Sequence, residues 1–138
     1  MGFQDDWIMR QIEMVAKFVA KVVFKKESEV IYEISGDVQN EEELTSIDQL
    51  HLVLCRMIRE GKISEAEDML FDCLEYSDKY ILLSTDFYQR LNRLSDEELE
   101  LGGFSREEVF DGYIDIMTLL GVPVDIFNLN GQDGPRQY

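Results

Sequence analysis

Histidine occurs once in these 138 residues, cysteine twice and proline twice. Two cysteines 18 positions apart make neither a disulfide framework nor a zinc-ligand pattern. No apolar run approaches the roughly 20 residues that cross a bilayer, and no small-residue cleavage site follows the first apolar stretch. Basic residues are scarce: 13 Lys and Arg stand against 29 Asp and Glu, a formal net charge of −16. A surface this negative repels phosphate backbones, which argues against nucleic acid as a partner and against anionic membranes. Phosphate-cradling glycine loops, hydrolase elbows and Cys-x-x-Cys pairs are also missing. These absences point to a small, acidic, cytoplasmic protein with no cofactor, no resident metal and no enzymatic activity.

What is present is core-forming material. Apolar residues make up 45% and aromatics 11%, enough for one packed domain of ordinary size. Helix-start patterns recur at Ser46-x-x-Gln49, Ser64-x-x-Glu67, Ser95-x-x-Glu98 and Ser105-x-x-Glu108. In each, the hydroxyl can accept from the third amide while the Glu or Gln answers back to the cap amide. Gly61, Gly102-Gly103 and Gly121, the last followed by Pro123, supply the stops. Only residues 30–34 read as strand-like, and a lone strand has no partner in the chain.

These signals predict an all-α bundle of five or six helices. An N-terminal amphipathic helix occupies 1–26, centred on 5–25. An acidic connector, extended or partly helical, spans 27–44, and the helical bundle spans 45–121 around a helix–turn–helix hairpin at 47–76. A loosely held tail covers 122–138. Predicted core residues include Trp7, Phe18, Leu50, Leu54, Leu70, Phe71, Leu74, Leu83, Phe87, Val109, Phe110 and Ile114, with Ile63 under the hairpin turn and Ala66 tightly packed to let the helices meet closely.

The first helix is the unusual element. From Trp7 to Phe24, 13 of 18 residues are apolar, leaving an apolar arc of about 200° that needs cover from two sides. It can be the cross-packed helix of the domain, a two-fold homodimer contact, or a membrane-surface helix with Lys17, Lys21, Lys25 and Lys26 toward lipid. Residues 1–26 carry a net charge of +2 and the rest −18, so a basic partner, or docking of the positive segment on the negative body, is electrostatically sensible.

Residues 47–76, with Gly61 turning the chain and Ala66 five positions on, resemble the middle and second half of a tetratricopeptide unit, best over Gly61 to Leu74. Leu54 departs from that pattern, standing where a small residue is usual, and no second copy follows at the same period. Asp6-Trp7-Ile8-Met9-Arg10-Gln11-Ile12-Glu13 and Gly61-Lys62-Ile63-Ser64-Glu65-Ala66-Glu67 resemble a family of small proteins from Gram-positive bacteria, classed as a domain of unknown function. That resemblance spans most of 5–121; it implies a helical cytoplasmic protein and brings no activity with it.

Candidate chemistry is thin. His51 with Asp48 forms Asp-x-x-His, the spacing of a di-metal carboxylate site, but the second histidine is lacking. Cys55 and Cys73 sit on the two facing arms of the hairpin, Cys73 is expected on its inward face as a small apolar side chain, and neither reads as an activated thiolate. Asp37-x-Gln39-x-Glu41-x-Glu43 alternates oxygen donors as a calcium loop does, yet has Glu42 where the turn needs glycine. The leading expectation is therefore a non-catalytic protein-interaction module. Its candidate contact residues are Trp7, Lys17, Lys21, Tyr76, Tyr80 and Tyr88, and its partner is another protein or a second copy through helix 1. A small-molecule binder or enzyme with a carboxylate pocket is the alternative of a different class.

Overall fold

The computed structural model describes residues 2–36 and 41–127, with side chains over 6–23 and 46–127. Six helices appear among them and no strand: α1 (Gly2–Gly36), α2 (Glu41–Arg59), α3 (Ile63–Cys73), α4 (Asp78–Asn92), α5 (Asp96–Leu101) and α6 (Arg106–Leu119). A short 3₁₀ turn follows at Asp125–Phe127. Of the stretch read as a connector, 27–36 continues α1 and 41–44 opens α2. The strand-like residues 30–34 are therefore helical, and most of the calcium-loop pattern falls in α2 or outside the described residues.

Helix ends follow local chemistry where the caps are free to act. Ser95 and Ser105 each accept from the amide three residues on, and Glu98 and Glu108 return the bond at 2.9 Å. Both are complete capping boxes. The other two predicted starts differ. Ser46 lies inside α2, which begins at Glu41, and α3 is capped by the backbone of Lys62 with Ser64 already in the helix. Gly61, Gly103 and Gly121 all sit at φ near +80°, where a side chain would clash with its own backbone. At each, the next residue's amide reaches back five positions: Lys62 to Met57, Phe104 to Leu99 and Val122 to Met117, at 2.8–2.9 Å. These bonds close the orphan carbonyls of α2, α5 and α6.

Packing centres on α4, which touches α1, α2 and α6. Accordingly it buries residues almost all round, including Ile81, Leu83, Ser84, Phe87, Tyr88 and Leu91. The Gly61 hairpin was expected at the centre; instead α2 and α3 pair with each other, and α2 leans on α4 from one side. The apolar arc of α1 is covered by α4 and α6. Ile8, Ile12, Val15, Ala16, Val19 and Val23, spaced three and four apart, are all buried. Cross-packing is thus the reading of helix 1 that the fold adopts.

Three expectations about the periphery change. Trp7 was placed in the core and is 40% exposed, because its position lies outside the arc that α4 and α6 cover. Residues 122–127 were placed in a loose tail, yet Val122 and Val124 are buried and the Phe127 ring meets Phe18 at 5.5 Å. Residues 128–138 lie outside the described residues. Cys73, expected on the inward face of the hairpin, is exposed at the end of α3. Arg106 ties α6 to the end of α4. Its buried guanidinium donates to the Asn92 and Leu94 carbonyls at 2.8 and 3.0 Å and to Asp96. A cation among C-terminal carbonyls complements the helix dipole. No helix among the described residues is long and apolar enough to cross a membrane.

Candidate functional site

Three groupings of polar side chains stand out: one between two helices, one among three, and one along a single helix. The first lies between α2 and α4. His51 and Cys55, one turn apart on α2, share a face, and Asp86 comes across from α4. The His51 Nε2 is 2.7 Å from Asp86 Oδ2 and 3.6 Å from Cys55 Sγ. Arg90, one turn beyond Asp86, donates its Nε to the same Oδ2 at 2.7 Å. The donor atoms of His51, Cys55 and Asp86 all lie within 4.8 Å of one another. This corrects two sequence readings. His51 makes its carboxylate contact with Asp86 on α4, and Cys55 has a histidine beside it. The spacing His-x-x-x-Cys was visible in the chain; Asp86, 35 residues from His51, was not.

The second grouping joins α3, α4 and α6. Tyr88 is fully buried and donates to Glu67 Oε2 at 2.5 Å. Its ring stacks on Tyr113, 5.4 Å away at 18°, and Tyr113 donates to Thr85 at 2.9 Å. The helices come this close because residue 112 is glycine: a Cβ there would press on the Glu67 carboxylate and on the Tyr88 hydroxyl. Burial, then the negative charge of Glu67, pushes the Tyr88 phenol well above its ordinary range, so it stays a donor. Glu67 is itself pushed up, first by burial and then by Asp68, Asp115 and Glu108, with the Tyr88 bond pulling the other way. Asp111 is raised by burial and by Asp115, Glu107 and Glu108. Glu67, Asp68, Glu107, Glu108, Asp111 and Asp115 thus form one acidic face on α3 and α6, and none makes an ion pair among the described residues.

The third is the outer stripe of α1. Trp7, Arg10, Met14, Lys17 and Lys21 fall within an arc of about 80° at 3.6 residues per turn, and all five are exposed. Trp7, Lys17 and Lys21 are therefore brought together as sequence reading grouped them. The tyrosines are not. Tyr76 is 77% exposed beside a cleft of about 310 Å³ between Val22, Ile81 and Leu120. Tyr80 is half-buried, and Tyr88 is a core residue because three helices surround α4. Its hydroxyl meets Glu67 in the interior, where a surface contact residue was expected. Glu67 was missed because it was read as the capping partner of Ser64. A second cleft, of about 570 Å³, opens beside Gly61 between Ile58, Leu94 and Leu101. Neither cleft contains Glu67 or Asp111, so the carboxylates that burial perturbs do not line a pocket there.

Fold and groupings together define a small all-α protein with two polar clusters at helix junctions and a basic stripe along α1. The chain belongs to the family described as Family of unknown function (DUF6483), which matches residues 2–121 and so takes in all six helices. No curated protein and no solved structure matches it.

Proposed function

We propose that the chain is a non-catalytic interaction module that docks a basic segment of a partner protein on the acidic face of α3 and α6. The observation that carries this reading is the set of six carboxylates that no cation among the described residues neutralises, four of which raise the proton affinity of Glu67 or Asp111. Self-repulsion of this kind is a standing cost that an incoming Lys- or Arg-rich segment relieves. The net charge of −16 acts in the same direction, speeding encounter with a positive partner.

A Lys/Arg-rich amphipathic peptide titrated into the isotope-labelled chain tests it by amide shift mapping. Shifts concentrated on 65–69 and 107–116, abolished in Asp111→Asn/Asp115→Asn and weakened by salt, support the reading. Shifts spread evenly over the acidic surface, or unchanged affinity in the double variant, overturn it. Binding should also release protons at pH above the ordinary values of 4.5 and 3.8, because a cation beside Glu67 and Asp111 lowers their raised proton affinity.

A further inference from the structure

We propose that His51, Cys55 and Asp86 form a binding site for one divalent transition-metal ion of zinc type. The three side chains bring three chemically different donors, an imidazole nitrogen, a sulfur and a carboxylate oxygen, to one place. That mixture suits zinc or cobalt(II) better than magnesium or calcium, which prefer all-oxygen shells.

The geometry separates this reading from nucleophilic catalysis. In a Cys–His–Asp relay, sulfur and carboxylate engage opposite nitrogens of the imidazole, so that one orients the ring while the other gives up a proton. Here both lie on Nε2, at 3.6 Å and 2.7 Å. A proton held on Nε2 for Asp86 leaves no base for Cys55, so the relay fails. Convergence on one nitrogen is instead what a shared cation requires.

The spacing of sulfur and nitrogen agrees with that requirement. Bonds of about 2.3 Å to sulfur and 2.0 Å to nitrogen place the two donors roughly 3.5 Å apart in a tetrahedron, and Sγ and Nε2 already stand 3.6 Å apart. The His51–Asp86 pair, now joined by a hydrogen bond, must open by about 0.6 Å to admit the ion.

The surroundings hold the donors in place. His51 and Cys55 flank the buried Leu54 on α2, and Asp86 precedes the buried Phe87 on α4. Core packing, and not the site, therefore sets the spacing of the two helices. Arg90 grips Asp86 Oδ2 and fixes the carboxylate, as outer partners of metal ligands do. The His51 and Asp86 side chains are 34% and 38% exposed, which gives an ion a path in and a fourth position open to water. On binding, the Cys55 thiol loses its proton to solvent, and His51 moves its remaining proton to Nδ1. The exchange releases about one proton per ion.

Cobalt(II) titrated into the purified full chain under reducing conditions tests the proposal. The expected result is a thiolate-to-cobalt absorption that saturates at one equivalent, with visible bands of four-coordinate cobalt, and that zinc displaces. His51→Gln and Asp86→Asn should weaken cobalt binding by more than about 10-fold. The thiolate band should vanish in Cys55→Ser and persist in Cys73→Ser. Should Cys55→Ser fail to fold by circular dichroism, Cys73→Ser still assigns the sulfur, because only Cys55 remains there. No thiolate band under excess cobalt, or a band that survives in Cys55→Ser, overturns the site.

Discussion

Tyr88 shows how one side chain's surroundings set its chemistry. A phenol removed from water needs an acceptor, and the acceptor it finds, Glu67, is a carboxylate that burial would rather keep protonated. The consequence for stability has a definite sign. Because Glu67 and Asp111 bind protons more tightly in the folded chain than in the unfolded one, they lower stability as pH rises above their ordinary values of 4.5 and 3.8. The cost is complete once pH exceeds the raised folded values. Glu67→Gln keeps an acceptor for the Tyr88 hydroxyl and removes the charge. It is expected to melt above the parent at pH 7 and to lose less stability between pH 4.5 and 7, as thermal unfolding across that range would record. A variant that melts lower at pH 7 would mean that the charged hydrogen bond outweighs desolvation. None of this was legible in the chain, since residues 67 and 88 meet only when α3 and α4 pack.

At the scale of the helix, local rules succeeded where a cap is free and failed where a helix ran through it. Ser95 and Ser105 cap as their sequence motif requires, but Ser46 sits in the sixth position of α2 and has no start to cap. Ser105→Ala is therefore expected to cost about 1 kcal/mol, and Ser46→Ala to stay within about 0.5 kcal/mol of the parent, both measured by urea unfolding. The hairpin makes a sharper demand. Ala66 is fully buried between α3 and its neighbours, so Ala66→Leu should destabilise by roughly 1–3 kcal/mol through overpacking. A parental melting temperature in that variant would show room where the packing leaves none. The three positive-φ glycines were readable as stops from spacing alone. The length of α1 was not, because its continuation through 27–36 crosses a stretch rich in acidic and β-branched residues.

For the whole molecule the decisive element is α1. Its buried stripe from Ile8 to Val23 fills the groove between α4 and α6, so it serves as core, and removing it would expose the centre of the bundle. A chain beginning at residue 27 is expected to lose cooperative thermal unfolding by circular dichroism. A sharp transition surviving in that truncation would make α1 a docking arm on an independent body. The basic outer stripe of α1 and the acidic face of α3 and α6 lie on the outside of the same bundle, which leaves both signs of charge open to partners.

Helical class, the turn positions and most of the core were set by short-range chemistry: three-and-four spacing, reciprocal caps and glycines that alone tolerate φ near +80°. Those interactions act within a few residues, so the chain itself determines them. Which helix became central, which tyrosine went inside, and which acid faced His51 depended on packing between helices tens of residues apart. Such contacts answer to shape and to the burial of unpaired polar groups, quantities that exist only once α1, α2 and α6 have closed around α4.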